Sequence, residues 1–259
     1  FHVTGVQTCA LPIYFNPEVG FVRRTDFALS SASARFSPRM RRGPVRRLSW
    51  IGDVEYVSDA DGRVLQDRTA GGTFNIEFNS SAERHLSLNR RYELLPADFA
   101  IAPAVVVPAG GYRYDTFRAE YLLAAQRPVS GRLAASTGSF YDGTRRTAEY
   151  TGRVGLSAHL AIEPTLTFNW VDLPYGRFTA RLMGTRVVVA PSARLNFSSL
   201  TQYNPTAHTL GSSVRMRWDY VPGSELFVVY SDGRDTFGER VALLQNRSFA
   251  VKITRLFRF

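Results

Sequence analysis

The sequence predicts an all-β protein: an antiparallel, up-and-down transmembrane β-barrel of about 12–16 strands, incomplete on its N-terminal side. Segments of about 9–14 residues alternate apolar and polar side chains, and turn residues separate them, as is typical of such barrels. The chain also closes on an apolar strand face, because Phe249, Val251, Ile253, Phe257 and Phe259 fall on one side of residues 248–259. No run approaches the roughly 20 apolar residues that a membrane helix needs.

Length and charge narrow the function classes. The chain has 259 residues, 44% of them hydrophobic and 13% aromatic, which is enough for one large β domain. Its formal charge is +10, and Lys252 is the only lysine, so arginine supplies nearly all of the excess. A basic chain can bind nucleic acid. Here the arginines are spread over alternating strands, which favours a polar lumen or anionic lipid headgroups and no nucleic-acid partner.

The pattern of apolar and polar residues divides the chain into three predicted segments. Residues 1–13 (FHVTGVQTCALPI) do not alternate and look like a translated sequencing adapter, so we expect an artefactual or disordered leader that packs on nothing. Residues 14–26 are predicted to be a connector or a plug-like segment, and residues 27–259 the barrel. Cys9 is the only cysteine, which excludes a disulfide framework. An exported protein needs a signal peptide and none is visible, so we expect that the natural N-terminus is missing.

The strands are predicted one by one from their alternation. Residues 210–220 give the clearest pattern, and Pro222 and Gly223 form a tight turn into the strand that begins at Leu226. The register of residues 179–189 is ambiguous, because Arg181 and Arg186 lie on opposite faces. The predicted strands are 27–36, 47–57, 73–78, 86–91, 117–123, 130–140, 146–158, 165–171, 179–189, 194–203, 210–220, the strand from 226, and 248–259.

The polar faces of these strands carry charges of both signs. A cation on the lipid side costs about 2–4 kcal/mol at the bilayer midplane, so the apolar faces opposite should direct the charges inward. The arginine excess predicts a lumen that is weakly selective for anions. The predicted lumen-lining residues are Glu77, Arg91, Glu93, Arg118, Glu120, Glu149, Arg153, Arg215, Arg217, Asp219, Lys252 and Arg258.

The predicted connections alternate in length, as an up-and-down barrel requires. Short turns are predicted on the periplasmic side at residues 126–128, 163–164, 190–192 and 221–223. Longer, extracellular connections are predicted at residues 96–111, 141–145, 173–177, 204–209 and 232–245. Residues 38–47 carry Arg39, Arg41, Arg42, Arg46 and Arg47 around a Gly-Pro pair, which fits either a contact with an anion or lipopolysaccharide or a solvated turn.

Several stretches resemble one family. They are residues 15–27 (FNPEVGFVRRTDF), 38–47 (PRMRRGPVRR), 171–176 (VDLPYG), 218–234 (WDYVPGSELFVVYSDGR) and 251–259 (VKITRLFRF). Together they are similar to the C-terminal region of the family called domain of unknown function 5916, over residues 14–259. The resemblance implies an outer-membrane barrel fused to a periplasmic carbohydrate-binding-like domain of family nine, which this chain lacks. It carries over no catalytic residues.

The function expected from the sequence is a passive channel or a transport-associated barrel of the bacterial outer membrane. One alternative is a sealed barrel that anchors the missing periplasmic domain, and a second is an outer-membrane hydrolase. The histidines outside the leader, His85, His159 and His208, lie far apart without metal-ligand spacing, so no metal, cofactor or catalytic site is predicted. Expected partners are outer-membrane lipid, lipopolysaccharide, the missing domain and the barrel-assembly machinery. Phe257 and Phe259 resemble the C-terminal signal that this machinery recognises.

Overall fold

The computed structural model of the chain describes residues 2–11, 27–102, 104–237 and 243–257, the first of these by backbone alone. In this part of the chain all regular structure is β, as predicted. The strands are β1 (His2–Leu11), β2 (Phe27–Phe36), β3 (Val45–Ser58), β4 (Leu65–Phe78), β5 (Glu83–Leu95), β6 (Phe99–Ala102), β7 (Val105–Val107), β8 (Gly110–Leu123), β9 (Val129–Phe140), β10 (Gly143–Gly155), β11 (Leu160–Leu173), β12 (Gly176–Ser192), β13 (Leu195–Asn204), β14 (Thr209–Val221), β15 (Ser224–Asp235) and β16 (Leu243–Thr254).

Fourteen of these strands form one sheet in chain order, with β6 and β7 as a separate hairpin between β5 and β8. The described pairings are antiparallel, so the up-and-down fold predicted from the sequence is confirmed. Within the described strands, β1 and β16 stand at the two ends of the order, and the sheet is open there. No helix long and apolar enough to cross a membrane occurs in the described residues.

The chain divides into two compact units, and the division cuts through strands β8 to β12. The first comprises residues 1–121, 134–147 and 170–178, and the second comprises residues 122–133, 148–169 and 179–259. Residues directly opposite in an antiparallel pair point to the same side of the sheet, so the registers show which side chains share a face.

In the first unit, large apolar residues line up across the strands. Phe36 lies opposite Trp50, Trp50 opposite Phe74, and Phe74 opposite Leu86. The Trp50 ring stacks on Phe36 at 5.8 Å and contacts Phe74 at 5.1 Å between centroids. We call this side the apolar face and the opposite side, which carries Glu77, Arg91 and Glu93, the charged face.

The second unit repeats the division. Met216 lies opposite Phe197 and Val228, and Val228 opposite Val251. The neighbouring row holds Trp218, Leu226 and Ile253. The alternation predicted for residues 210–220 and 248–254 is therefore present, with Arg215, Arg217 and Lys252 on the opposite side.

The contrast between short and long connections is wrong in several places. Tyr141 and Asp142 alone join β9 to β10, and Pro174 and Tyr175 alone join β11 to β12. The predicted turn at residues 163–164 lies inside β11, and the chain turns at residues 156–159 instead. The reason is that strand pairing extends further than the alternation of apolar residues alone indicated.

The leader also differs from its prediction. The backbone of β1 pairs with β2 from His2 opposite Arg35 to Leu11 opposite Phe27. A free strand edge presents unpaired N–H and C=O groups that accept almost any extended segment, so this pairing needs no apolar alternation. The connector at residues 14–26 lies outside the described residues.

The last strand begins and ends earlier than predicted. It covers Leu243–Thr254, and its final pair joins Thr254 to Glu225. The partner β15 begins one residue before Glu225, at Ser224, so residues beyond Thr254 have little left to pair with; the Leu256 N–H instead donates to Ser224 Oγ at 3.0 Å. Phe257 therefore lies past the strand, with Arg255 over its ring, and Phe259 lies outside the described residues.

Candidate functional site

The charged face of the first unit is built by strand register. The row Leu29, Val57, Asp67 and Glu93 lies beside the row Ser31, Glu55, Thr69 and Arg91, because residues two apart on a strand face the same way. Asp67 and Glu93 therefore flank Arg91.

An ion network is formed around Arg91 on this face. Arg91 Nη2 donates to Asp67 Oδ2 at 2.8 Å and lies 3.6 Å from Glu93 Oε1. The Tyr114 hydroxyl donates to Glu93 Oε2 at 3.2 Å, which ties β8 to β5. The Asp67 side chain is only 11% exposed and that of Glu93 21%. Carboxylates this deeply covered require paired donors, and Arg91 and Tyr114 supply them.

A second network lies further along the same face. His85 Nε2 lies 2.8 Å from Glu83 Oε2, and its Nδ1 lies 3.6 Å from Glu120 Oε1. Arg118 contacts Glu120 at 3.2 Å. Beyond it, Arg46 and Arg47 both pair with Glu77, so part of the arginine-rich segment 38–47 joins this face rather than remaining wholly solvated.

The β6–β7 hairpin covers one end of the charged face. Val105 and Val107 are buried, and Val107 has no exposed surface. They pack in one cluster with Tyr112, Tyr114 and Tyr141, joined by Val171 and Leu173. Because Tyr114 packs against the hairpin valines and also bonds Glu93, it links the hairpin to the Asp67, Arg91 and Glu93 network. The sequence predicted residues 96–111 as a long extracellular connection; a long connection does join β5 to β8, and it contains the β6–β7 hairpin.

Two tight turns complete the rim around this hairpin. The Tyr175 hydroxyl donates to Asp142 Oδ2 at 2.5 Å, and this hydrogen bond, followed by burial, raises the pKa of Tyr175. The phenol therefore stays protonated at neutral pH and remains a donor. Asp172 and Arg177 pair at 2.6 Å beside it. Polar contacts thus fix the turns around an apolar centre.

The charged face of the second unit is more open. Arg153 contacts Glu163 at 2.8 Å, and Arg186 lies 4.0 Å from the same carboxylate, which settles the register that the sequence left ambiguous. Arg217 lies 3.2 Å from Asp219 and 3.1 Å from Glu225. The remaining predicted lumen residues in this unit, Glu149, Arg215 and Lys252, lie in β10, β14 and β16. Arg258 lies outside the described residues.

The described charged faces carry mixed charges, as predicted, and the balance of the two signs differs between the units. In the first unit the charged face carries Asp53, Glu55, Asp67, Glu77, Glu83, Glu93 and Glu120 against Arg35, Arg46, Arg47, Arg91, Arg118 and Arg145. In the second it carries Arg153, Arg186, Arg215, Arg217 and Lys252 against Glu149, Glu163, Asp219 and Glu225. Many arginines of the chain lie in turns or on the other face, so the overall charge of the sequence does not describe this surface.

The remaining histidines do not join these networks. His159 lies in the turn before β11, where its Nδ1 is 2.8 Å from the Ala190 carbonyl oxygen. His208 contacts the Phe237 ring edge-on at 4.9 Å. Among the described residues no group of three or more His, Cys, Asp or Glu side chains could hold a metal ion.

Sequence reasoning missed Asp67, Tyr114 and the hairpin valines. The predicted strand began at Thr73, although the same alternation continues backward from Glu77 to Asp67. Gly71 interrupts the pattern; a Cβ there would lie 2.4 Å from Asn89 Oδ1 and 2.9 Å from Asp53 Oδ2, so the polar side chains of the neighbouring strands approach the backbone closely at this point. Asp67 could have been found by extending the period through that glycine.

Searches of protein-family models, curated protein sequences and solved structures give no match to this chain. The resemblance to the domain of unknown function 5916 family therefore stays a prediction.

Proposed function

We propose that this chain forms the strands of a bacterial outer-membrane β-barrel that acts as a passive channel or as the barrel of a transport system, with a charged lumen. One observation supports this proposal most strongly: the usual distribution of side chains is inverted. On the apolar face Leu88 is 65% exposed and Trp50 44%, whereas the carboxylates of Asp67 and Glu93 on the other face are largely covered. A large exposed apolar surface marks an interaction with lipid or with another protein.

Continuity of the surface favours lipid. The apolar rows run across β2–β5 and again across β13–β16, and aromatic rings such as Trp50 and Trp218 belong to them. Transmembrane barrels have the same outward band of apolar residues with aromatic girdles and a polar interior. A protein partner would cover a patch rather than successive strands.

The hairpin favours a narrowed passage. It lies on the charged face, where the Asp67, Arg91 and Glu93 network would line the lumen. We therefore propose that β6 and β7 constrict the channel at this network, and that the excess of carboxylates there makes the constriction prefer cations. This revises the anion preference expected from composition.

Reversal potentials in planar bilayers test the proposal. The refolded chain should conduct with a weak cation preference, and Asp67→Asn with Glu93→Gln should reduce that preference. Asp219→Asn with Glu225→Gln, which removes the same charge from the open second unit, is the matched control and should change it less. Equal shifts from both pairs would contradict the placement of the constriction.

The buried hairpin also favours a second candidate, a sealed barrel that anchors a periplasmic domain. Replacing residues 99–107 with a short Gly-Ser linker separates the two. A channel should gain conductance when the hairpin is removed. Absence of conductance before and after removal, from protein inserted in the bilayer, would favour the sealed anchor.

A further inference from the structure

The apolar face of the first unit carries a charged cluster that the lumen does not explain. Arg90 donates through Nε to Asp115 at 2.7 Å, and the two side chains are 69% and 63% exposed. By register Arg90 follows Leu88 and Leu86 on the apolar face. Asp115 alternates with Phe117 on β8 and so faces the same way.

Two further arginines surround this pair. Arg68 lies opposite Tyr92, one row beyond the row of Ala70 and Arg90. Arg113 precedes Asp115 by two residues on β8 and shares its face. Tyr92 borders this strand closely, since a Cβ on Gly111 would lie 2.5 Å from its hydroxyl. Arg68, Arg90 and Arg113 therefore lie on one face near Tyr92, and Asp115 pairs with Arg90 among them.

An open groove lies beside the cluster, on the side away from Tyr92. It encloses about 700 Å³, which is within the range of small-molecule sites. Its walls are mainly apolar or small, and the residues lining it include Ala70, Leu88, Arg90, Asp115, Phe117 and Thr137. The arginines and Tyr92 thus form a cationic rim above an apolar trough.

We propose that this surface binds an acylated lipid whose phosphate group is held by Arg68, Arg90 and Arg113 and whose acyl chain lies along Leu88 and Phe117. The occupant follows from complementarity. Arginine clusters recognise phosphate, because each guanidinium presents several donors in a plane. An apolar groove continuous with a cationic rim fits an amphiphile better than a free anion. The inference rests on the proposed function, since it places the apolar face against lipid.

Asp115 predicts the direction in which a substitution should change lipid binding. It occupies Arg90 in the structure and must share that arginine with an arriving phosphate. Removing its charge should therefore strengthen binding, which a purely structural ion pair would not do. Arg247 on β16 is the matched control: it also lies on the apolar face, beyond Phe249 and over the Tyr230 ring at 5.9 Å, but it does not line this groove.

Native mass spectrometry of the protein refolded in an uncharged detergent tests the site. Phosphatidylglycerol, lipid A, phosphatidylcholine and inorganic phosphate are titrated separately. We expect phosphatidylglycerol or lipid A to be retained in preference to phosphatidylcholine, with about a fivefold loss for each of Arg68→Gln and Arg90→Gln, no change for Arg247→Gln, and a gain for Asp115→Asn. Comparison of the two anionic lipids distinguishes an inner-leaflet source from lipopolysaccharide.

Several results would overturn the site. One is that phosphatidylcholine is retained as well as the anionic lipids, and another is that Arg247→Gln loses as much lipid binding as the groove variants. A third is binding of inorganic phosphate without lipid preference. The fourth is a dimer that the same arginine substitutions abolish, which would make the face a subunit interface. Insertion of each variant into phosphatidylcholine vesicles is measured in parallel. Failure of the unsubstituted chain to insert would reject the barrel itself, whereas insertion without lipid preference would reject only the site.

Discussion

The charged faces of the two units contain the same kind of arginine–carboxylate ion pair, but the pairs differ in their exposure to solvent. In the first unit Arg91 pairs with Asp67 beneath the hairpin, and the Asp67 side chain is 11% exposed. In the second unit Arg217 pairs with Asp219 at 3.2 Å, yet the Asp219 side chain is 37% exposed. The strand pattern is equivalent in both. The first unit also carries β6 and β7, whose Val105 and Val107 pack with Tyr114, the residue that bonds Glu93.

This comparison shows that alternation alone does not decide how strongly a charged face contributes to stability or selectivity. Ion pairs in a high-dielectric environment contribute little, because water screens them and competes for their hydrogen bonds. Pairs that are covered cannot be separated without leaving a charge unsatisfied. The networks of the first unit should therefore be sensitive to substitution, and those of the second tolerant.

The largest effect is expected from Tyr114→Ala. Tyr114 is buried among the hairpin valines, so the change should lower the free energy of unfolding by about 3–5 kcal/mol. Phe227→Ala, on the charged face of the second unit opposite Arg217, should cost about 1 kcal/mol. Denaturant unfolding from vesicles measures both. Tyr114→Phe, which removes only the hydroxyl, is the control, and similar losses in Tyr114→Ala and Phe227→Ala would show that the hairpin adds no stability.

A charge on the apolar face should give the next largest effect. Leu88→Arg should cost about 2–4 kcal/mol in a bilayer if this face meets lipid near the midplane. Ser87→Arg, one residue away on the charged face, should change the free energy of unfolding by less than about 0.5 kcal/mol. The same denaturant titration is used. Equal costs would contradict the assignment of the two faces.

Asp67→Asn tests the covered ion pair directly. It leaves Arg91 with one carboxylate fewer beneath the hairpin, and we expect a loss of about 1.5–3 kcal/mol. Asp219→Asn removes an equivalent carboxylate from the open face and should cost about 0–1 kcal/mol. A double-mutant cycle with Arg91→Gln or Arg217→Gln isolates each pair. Equal coupling energies would remove the distinction between the units.

The smallest effect on stability is expected from removing residues 257–259. Phe257 lies past the last strand and is 65% exposed, so detergent refolding should change by less than about 0.5 kcal/mol. If these residues are the assembly signal, surface levels in cells should fall sharply all the same. Normal surface levels would show that the signal lies elsewhere.

The sequence was sufficient for the fold class and for the faces of most strands, because alternation is a local property. Strand β2 has the predicted bounds, and β13 and β14 differ from theirs by one residue at each end. The hairpin was not predictable in this way. Phe99–Ala102 and Val105–Val107 carry no polar alternation, and the burial of Val105 and Val107 depends on residues distant in sequence: Tyr112, Tyr114, Tyr141, Val171 and Leu173. Glycine positions such as Gly71 similarly depend on neighbours across the sheet.

The most direct test of the central claim is the accessibility of spin labels placed singly along β5 and β16 in vesicles. Residues 86–89 and 250–253 each alternate between the two faces. We predict that labels at Leu86, Leu88, Val251 and Ile253 collide with oxygen dissolved in the lipid. Labels at Ser87, Asn89, Ala250 and Lys252 should instead meet a water-soluble nickel reagent. Accessibility to the water-soluble reagent at all eight positions would contradict the claim that the apolar face lies in lipid.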